Sequence, residues 1–228
     1  MTRPLRHGEP WGRAASGPPD VDVAGDDADL AAAALSHRGA LVRFRPSPRS
    51  DSARALGLGT AGGGTTEVAI DALAVESDGS SVTAVNPVNA VNAVVLGPPP
   101  DRLRWTARAS DITVQVDGRP WFRGRATTVV VASGQFLRGA DIVPRGHPGD
   151  GWAEVQVYGL TRRGRRPMRR RLPTGTHLPH PDIRVGRARR VDVDVAGRGR
   201  PLEIDGRPRG RAARLSVTLV PAAIRLLV

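Results

Sequence analysis

Short runs of strand-forming residues, separated by glycine-rich turns, fill the chain from about residue 61 to its last residue. The runs alternate between apolar and polar side chains and are rich in Val, Ile and Thr, which is typical of half-buried β-strands. No helical pattern long enough for a crossover connection lies between them. Because parallel strands require such crossovers and antiparallel strands need only tight turns, the pattern predicts an antiparallel sandwich or barrel-like sheet.

The individual strands can be assigned from this alternation. Asp117-Gly118 lies between two apolar runs, where a two-residue hairpin turn is expected. The predicted strands are Glu67–Val75, Ser81–Val85, Ala93–Leu96, Ile112–Val116, Thr127–Ala132, Glu154–Tyr158, Val191–Val195, Pro201–Ile204, Leu215–Leu219 and Ile224–Val228.

The first sixty residues have a different pattern. Residues 1–24 are rich in Pro, Gly and Arg without periodicity, which predicts a disordered or extended start. Asp29–Leu35 predicts a short alanine-rich helix that follows a cluster of acids. Ala40–Phe44 predicts a strand, and Ser52–Leu58 predicts a second short helix.

Together these patterns predict an α+β protein that is mainly an antiparallel β-sandwich. We expect two parts. Residues 1–60 form a short, truncated α/β unit, and residues 61–228 form the β-sandwich.

Composition excludes several kinds of site. The chain has no cysteine, so it has no disulfide framework and no cysteine-ligated zinc or iron–sulfur centre. No apolar run approaches the roughly 18–20 residues that span a membrane, and the N-terminus lacks the apolar stretch of a signal peptide, so we expect a cytoplasmic protein. The net charge is +12, and residues 161–228 alone carry +13.

Four segments, taken in order, resemble the bacterial diacylglycerol kinase and sphingosine kinase family. Residues 133–155 (SGQFLRGADIVPRGHPGDGWAEV) are similar to its N-G-x-x-x-G-G…P…D-G-x-L-x-V stretch, and residues 175–181 (GTHLPHP) to its G-x-H-x-x-x-P turn. Residues 204–207 (IDGR) lie where the family carries D-G-E. Residues 220–228 (VPAAIRLLV) are similar to its closing proline and apolar strand.

The resemblance implies a β-sandwich substrate domain and ATP-dependent phosphorylation of a lipid hydroxyl, such as that of diacylglycerol, with Mg²⁺. It makes Asp205 the candidate catalytic base and Asp150 a candidate for the carboxylate network that reaches the metal. The residues by themselves leave a second interpretation open. Asp-Gly pairs are typical of hairpin turns, so both acids are equally compatible with a purely structural role.

The family's nucleotide-binding motifs are eroded in this chain. Its GGDGT loop corresponds to residues 24–28, where Gly25 and Asp26 remain, and its G-T-G-N-D-F-A-R turn corresponds to residues 47–54, where Asp51 remains. Gly25, Asp26 and Asp51 are therefore the predicted cofactor-binding residues.

Side chains now occupy positions where the family has loop glycines. Asp27 adds a negative charge and Pro48 removes an amide donor, so we expect poor affinity for ATP. Arg207 stands where the family has a glutamate. A cation two residues from Asp205 predicts that Arg207 holds Asp205 ionised.

Residues 161–171 (TRRGRRPMRRR) contain seven arginines interrupted by Gly164 and Pro167, which predicts a loop or broken turn rather than a regular helix. A solvated charge run, peripheral contact with an anionic membrane and nucleic-acid binding all fit such a segment. The run contains no aromatic residue that could stack on bases, which disfavours nucleic acid.

The sequence therefore leaves two main hypotheses. The first is a lipid kinase with impaired ATP binding, and the second is a non-catalytic lipid-binding or regulatory protein. The oligomeric state also stays open, with a homodimer as one option.

Overall fold

The computed structural model describes residues 12–37, 39–58, 64–78 and 88–228. Short 3-10 turns lie at Pro100–Arg102 and Leu172–Thr174. The longer elements are β1 (Arg13–Ala14), β2 (Val21–Gly25), α1 (Asp27–Ser36), β3 (Leu41–Pro46), α2 (Asp51–Leu56), β4 (Thr66–Ser77), β5 (Val88–Ala90), β6 (Ala93–Leu96), β7 (Ser110–Val116), β8 (Arg119–Ala126), β9 (Thr128–Ala132), β10 (Phe136–Leu137), β11 (Ala140–Asp141), β12 (Ala153–Tyr158), α3 (Arg162–Arg171), β13 (Ile183–Ala188), β14 (Arg190–Val195), β15 (Arg200–Ile204), β16 (Arg207–Ala212) and β17 (Arg214–Leu227).

Two large sheets pack face to face. One is fully antiparallel, in the order β13-β12-β9-β6-β15-β16. The other follows the order β1-β4-β17-β14-β7-β8, with β2, β3 and β5 attached to it. Alternating apolar side chains from both sheets, such as Val94, Val131, Val193 and Val217, form one buried cluster between them. The predicted α+β fold, mainly an antiparallel β-sandwich, is confirmed.

Strand β17 joins the sandwich to the N-terminal part of the chain. Its first half pairs with β14 and β4, and after a bulge between Val220 and Ile224 its second half also pairs with β3. The β17–β3 and β3–β2 pairs are parallel, and α1 connects β2 to β3, as in an α/β unit. Residues of α1 and α2, such as Leu30 and Leu56, pack on this part of the sheet. One sheet therefore continues into both predicted parts of the chain.

Most predicted strands are present, and several extend further than the alternation indicated. Leu215–Leu219 and Ile224–Val228 belong to one long strand that bends at its bulge. Ser81–Val85 lies outside the described residues. The Asp117-Gly118 hairpin is present, and both residues have the positive φ angles, 50° and 75°, that such a turn requires.

Among the strands that were not predicted, three of the longer ones are rich in Arg, Pro and Gly. These are β8 (RPWFRGRA), β13 (IRVGRA) and β16 (RPRGRA). Each lies at an edge of its sheet. Charged side chains at an edge strand discourage pairing with another chain, so this composition fits the position even though it weakens the strand signal.

The prediction of a loop at residues 161–171 is wrong, because Arg162–Arg171 forms α3. Thr161 caps the helix by accepting from the Gly164 amide, and Pro167 leaves only the carbonyl of Arg163 without its helical donor. The burial of Met168 against the sandwich offsets that loss, because tertiary packing stabilises a helix more than intrinsic propensity does.

Candidate functional site

Several acidic side chains meet at one end of the six-stranded sheet. Asp205 directly follows β15, which pairs with the start of β6, and Asp150 precedes the start of β12. Strands β6, β9 and β12 are antiparallel neighbours in this sheet. The end of β15 therefore lies at the same end of the sheet as the start of β6, the end of β9 and the start of β12. Three strand spacings of about 4.8 Å separate β12 from β15, so the strand ends that carry Asp150 and Asp205 are about 14 Å apart along this end of the sheet. We call this end the carboxylate edge.

Asp205 lies in the turn between β15 and β16 and is buried, with a positive φ of 46°. Its carboxylate accepts from three successive backbone amides: Oδ2 from Val91 at 2.9 Å, and Oδ1 from Asn92 at 3.1 Å and from Ala93 at 2.9 Å. Burial raises the pKa of Asp205 to about 6, against the opposing effect of these amides. The residue is therefore both a hairpin turn and a buried acceptor at the carboxylate edge.

Asp27 joins the beginnings of α1 and α2. It is buried, and its Oδ1 accepts from the Ser50 hydroxyl at 2.6 Å and from the Ser52 amide at 3.2 Å. Burial and the nearby charge of Asp205 raise the pKa of Asp27 to about 7. The sequence marks Asp27 as a substituted loop residue. In the structure, Asp27 is a residue of the N-terminal unit whose carboxylate feels the charge of Asp205.

Gly25 and Asp26 form the turn into α1. The Asp26 carboxylate accepts from the amides of Ala28 at 3.0 Å and Asp29 at 3.4 Å, while Asp29 accepts from the Asp26 amide at 2.9 Å, a reciprocal capping box. A Cβ on Gly25, whose φ is 140°, would overlap the Asp29 carboxylate. This glycine therefore serves the chain's own capping geometry.

Arg207 lies beside this cap and not beside Asp205. Its Nη2 donates to Asp26 Oδ1 at 2.8 Å and to Asp29 Oδ1 at 2.9 Å. The expectation that Arg207 holds Asp205 ionised is wrong, because the guanidinium points away to α1 and burial raises the pKa of Asp205. Arg207 instead fastens the β15–β16 turn to the beginning of α1.

Asp51, the third predicted cofactor-binding residue, is also engaged by protein groups. Its Oδ1 accepts from the Gly139 amide at 2.7 Å, and its Oδ2 accepts from the Arg138 amide. The Arg138 side chain pairs in turn with Asp101 at 2.6 Å and with Glu203. Asp51 therefore attaches α2 to the β10–β11 hairpin of the sandwich.

Asp150, the predicted metal-network residue, lies at the far end of the carboxylate edge. Its Oδ1 accepts from the Trp152 amide at 3.0 Å, its Oδ2 lies 3.4 Å from Arg187, and burial raises its pKa. Beside it lies Asp71, which is fully buried and accepts from the amides of Gly151 and Ala222, both at 2.8 Å.

Asp71 is a residue that sequence reasoning missed. It holds the bulge of β17 against the loop before β12, and burial together with the charge of Asp150 raises its pKa to about 6. The available signal was an acid inside the otherwise apolar strand EVAIDALAV. A buried acid in such a run requires partners.

A cavity of about 250 Å³ lies between β12 and the turn that follows α3, and Arg187 joins its lining residue Glu154 to Asp150. Val143, Leu178 and Val185 contribute apolar surface, and Glu154 and Gln156 contribute polar atoms. It is smaller than the roughly 300 Å³ of a typical small-molecule site, and so suits part of a ligand.

Four of the backbone amides at the beginnings of α1 and α2, where phosphates would bind, already have acceptors. A helix start binds an anion through its unpaired N–H groups. In α1 those amides donate to Asp26, and in α2 the Ser52 and Ala53 amides donate to Asp27 and to the Ser50 hydroxyl. The residues present therefore do not fit the triphosphate of ATP.

The carboxylates do not fit a directly bound magnesium ion either. Each of Asp27, Asp51, Asp150 and Asp205 accepts hydrogen bonds from protein donors. Among the described residues, no group of three or more acidic or histidine side chains is arranged to hold a metal ion. Octahedral Mg²⁺ requires several oxygens that are turned toward one point.

Comparison with known proteins agrees with this architecture. Residues 103–228 match the family described as the YegS C-terminal NAD kinase beta sandwich-like domain. None of the curated proteins matches the chain.

Solved structures are similar over nearly the whole chain. Three structures of proteins described as diacylglycerol kinases from Bacillus anthracis superpose with TM-scores of 0.72, 0.70 and 0.67. Their identities to this chain are 14%, 14% and 15%. Each covers 91% of this chain, and the chain covers 76%, 78% and 76% of theirs. At this level of identity the likeness extends to the fold.

Proposed function

The chain belongs to the family of the YegS C-terminal NAD kinase beta sandwich-like domain, and from this premise we propose that it binds a lipid alcohol, such as diacylglycerol, with impaired phosphoryl transfer. The sandwich that would recognise the lipid is intact. The N-terminal unit that would hold the nucleotide is closed by its own side chains. The protein then acts mainly as a lipid-binding or regulatory member of a kinase-like family.

One observation carries this proposal. The amides at the beginnings of α1 and α2 donate to the side chains of Asp26, Asp27 and Ser50. A phosphate would have to displace these side chains, which belong to the protein and therefore always compete with it. Asp26 would also repel a triphosphate, because like charges at contact distance oppose binding, whereas Asp27, whose pKa is raised to about 7, carries only part of a charge at neutral pH. Arg207 neutralises part of that charge but is itself held by Asp26 and Asp29.

The cavity beside β12 supports the lipid part of the proposal. Its volume of about 250 Å³ and its Val143, Leu178 and Val185 lining suit a segment of hydrocarbon chain. The Glu154 carboxylate on one wall suits a hydroxyl group near that segment, while both polar atoms of Gln156 are engaged by Ile142 and Tyr158.

Retained lipid kinase activity is a second candidate, favoured by the buried pair of Asp27 and Asp205. ATP would supply the γ-phosphate, and a carboxylate would take the proton of the lipid hydroxyl. A base works best when its pKa lies near the working pH, and the pKa of Asp27 is raised to about 7. In this candidate Asp205 is the base, as the resemblance implies. Otherwise Asp27 is the base, and the charge of Asp205 acts by raising the pKa of Asp27.

A titration of Mg²⁺-ATP into the full chain, together with a diacylglycerol phosphorylation assay in mixed micelles, separates the two candidates. Lipid binding without nucleotide binding supports the first. Phosphorylation that disappears in Asp205→Asn supports the second.

Asp117→Asn is the matched control in both assays. Asp117 is also an Asp before Gly in a hairpin, has a positive φ, and accepts from the amides of Arg189 and Arg190 on a neighbouring strand. A loss shared by both variants would indicate damage to a hairpin. Cytoplasmic location and a homodimer remain proposals that fractionation and sedimentation would test.

A further inference from the structure

Two segments that lie far apart in the sequence form one basic surface. Residues 102–109 and 159–181 together contain ten arginines and no aspartate or glutamate. In α3 the buried face consists of Arg165 and Met168, followed by Leu172 one turn later. The remaining arginines of α3 are exposed, except Arg169, which is half-buried.

Arg165 ties the helix to the other segment. Its Nη1 donates to the carbonyl oxygens of Arg104 at 3.1 Å, Trp105 at 2.8 Å and Ala107 at 2.7 Å. A buried guanidinium with three carbonyl acceptors fixes the two segments relative to each other. The exposed arginines of α3 and of the 102–108 loop thus belong to one rigid surface, which we call the arginine face.

The charges of the arginine face are largely uncompensated. Among the residues that the structure describes, the arginines of α3 take part in no ion pair, and Arg102 lies only 3.8 Å from the Asp101 that Arg138 already holds. Trp105 stands among them with 67% of its surface exposed. An exposed tryptophan within a cationic surface requires an explanation, because large apolar side chains are normally covered.

We propose that the arginine face docks on an anionic lipid bilayer, with Trp105 in the headgroup region. Each basic residue held near such a bilayer raises the affinity about fivefold. Tryptophan prefers the membrane interface because its ring is apolar and its N–H is polar. Nucleic acid is disfavoured, since the described part of the face offers a single aromatic ring and no series of rings for stacked bases.

The bilayer also fits the position of the cavity. The turn Leu172–Thr174 directly follows α3, and Gly175 then lines the cavity. A protein docked through α3 would therefore hold the cavity close to the lipid. None of the helices in the described residues is long and apolar enough to cross a membrane, so contact through those helices would be peripheral. The inference rests on the proposed function only in choosing lipid as the ligand of that cavity.

Vesicle co-sedimentation of the full chain, without nucleotide, tests the docking separately from lipid phosphorylation. We expect binding to vesicles of phosphatidylcholine mixed with phosphatidylglycerol, none to phosphatidylcholine alone, and loss of binding at high salt. The triple variant Arg163→Gln, Arg166→Gln, Arg170→Gln should lower the affinity about a hundredfold. These side chains are exposed, so the fold should persist, which circular dichroism would verify.

A second triple variant provides the charge control. Arg119→Gln, Arg123→Gln, Arg209→Gln removes three exposed charges from the edge strands β8 and β16, which contribute no residue to the arginine face. Equal losses in the two variants would overturn the proposal, because net charge alone would then explain binding. Retention on a DNA fragment without vesicle binding would overturn it as well.

Tryptophan fluorescence reports insertion directly. Vesicles containing phosphatidylglycerol should shift the emission to shorter wavelength in the natural chain and in Trp152→Phe. They should leave it unshifted in Trp105→Ala. A shift that survives in Trp105→Ala would contradict insertion of Trp105.

Discussion

Replacing Asp27 by Asn should stabilise the protein at neutral and alkaline pH. The carboxylate is buried between the beginnings of α1 and α2, close to Asp205. Asparagine has nearly the same shape, and its amide oxygen can still accept from the Ser50 hydroxyl and the Ser52 amide, as Oδ1 of Asp27 does. The substitution therefore removes the charge and keeps the contacts.

The size of the effect follows from the pKa of Asp27, which burial and the charge of Asp205 raise from 3.8 to about 7. Between these two values the folded protein holds a proton that the unfolded chain has released. This contribution to stability is fully present below about pH 3.8 and is lost as the pH rises through about 7. The full difference corresponds to about 4 kcal/mol in the free energy of unfolding.

Urea unfolding at about pH 4 and about pH 8 would measure it, since the free energy of unfolding extrapolates linearly to water. We expect the stability of Asp27→Asn relative to the natural chain, measured as the free energy of unfolding, to be about 4 kcal/mol higher at the alkaline pH than at the acid pH. Asp71 titrates in the same range in both proteins, so its contribution cancels in the difference between the two chains, which reports Asp27 together with its coupling to Asp205.

Asp117→Asn, in an exposed turn, controls for the loss of one negative charge. A gain for Asp27→Asn that is the same at both pH values would show that Asp27 is not a buried, protonated group. A gain that is smaller at the alkaline pH than at the acid pH would mean that the pKa of Asp27 is lowered in the folded protein. That result would refute the argument that burial raises this pKa.

Three further predictions concern stability and are measured by denaturant unfolding at one pH. Gly97→Ala should destabilise by several kcal/mol, because Gly97 has a φ of 102° and a Cβ there would overlap the Thr127 carbonyl oxygen; unchanged stability would mean that this close approach is relaxed in solution. Tyr158→Phe should cost about 1 kcal/mol, since the buried hydroxyl donates to Gln156 at 2.6 Å, and a gain in stability would contradict that bond. Asp205→Ala should cost about 3 kcal/mol or more by leaving three backbone amides without an acceptor, and a cost below that of Tyr158→Phe would show that water replaces the carboxylate.

Part of this molecule follows from local sequence. The alternation of apolar residues in segments such as Val191–Val195 predicts strands, because a pleated strand turns every second side chain to the same face. The two-residue turn at Asp117-Gly118 is equally local, since it depends on the φ angles that two residues can adopt. These signals are sufficient for an antiparallel sandwich with a short α/β unit before it.

The environment of the acids in the sequence motifs could not be predicted from local sequence. The motif at residues 204–207 places Asp205 in a turn. The structure adds that its carboxylate accepts from the amides of residues 91–93, in the β5–β6 connection and at the start of β6, more than a hundred residues away in the sequence. Arg207 pairs with α1 although Asp205 is nearer in sequence. Neither partner could be found without the fold, because hydrogen bonds and ion pairs form between neighbours in space.

What the sequence determined by itself is the apolar strands of the sandwich, the two short N-terminal helices and the absence of thiol chemistry, all of which are properties of single residues or short periods. Tertiary structure alone decided that an arginine-rich segment with an internal proline becomes α3. It also decided that Asp26, Asp27 and Ser50 accept from the amides at the beginnings of α1 and α2, and that Asp71 supports the carboxylate edge. The physical reason is the same in each case: the stabilising partner lies on another element, and only packing brings the two together.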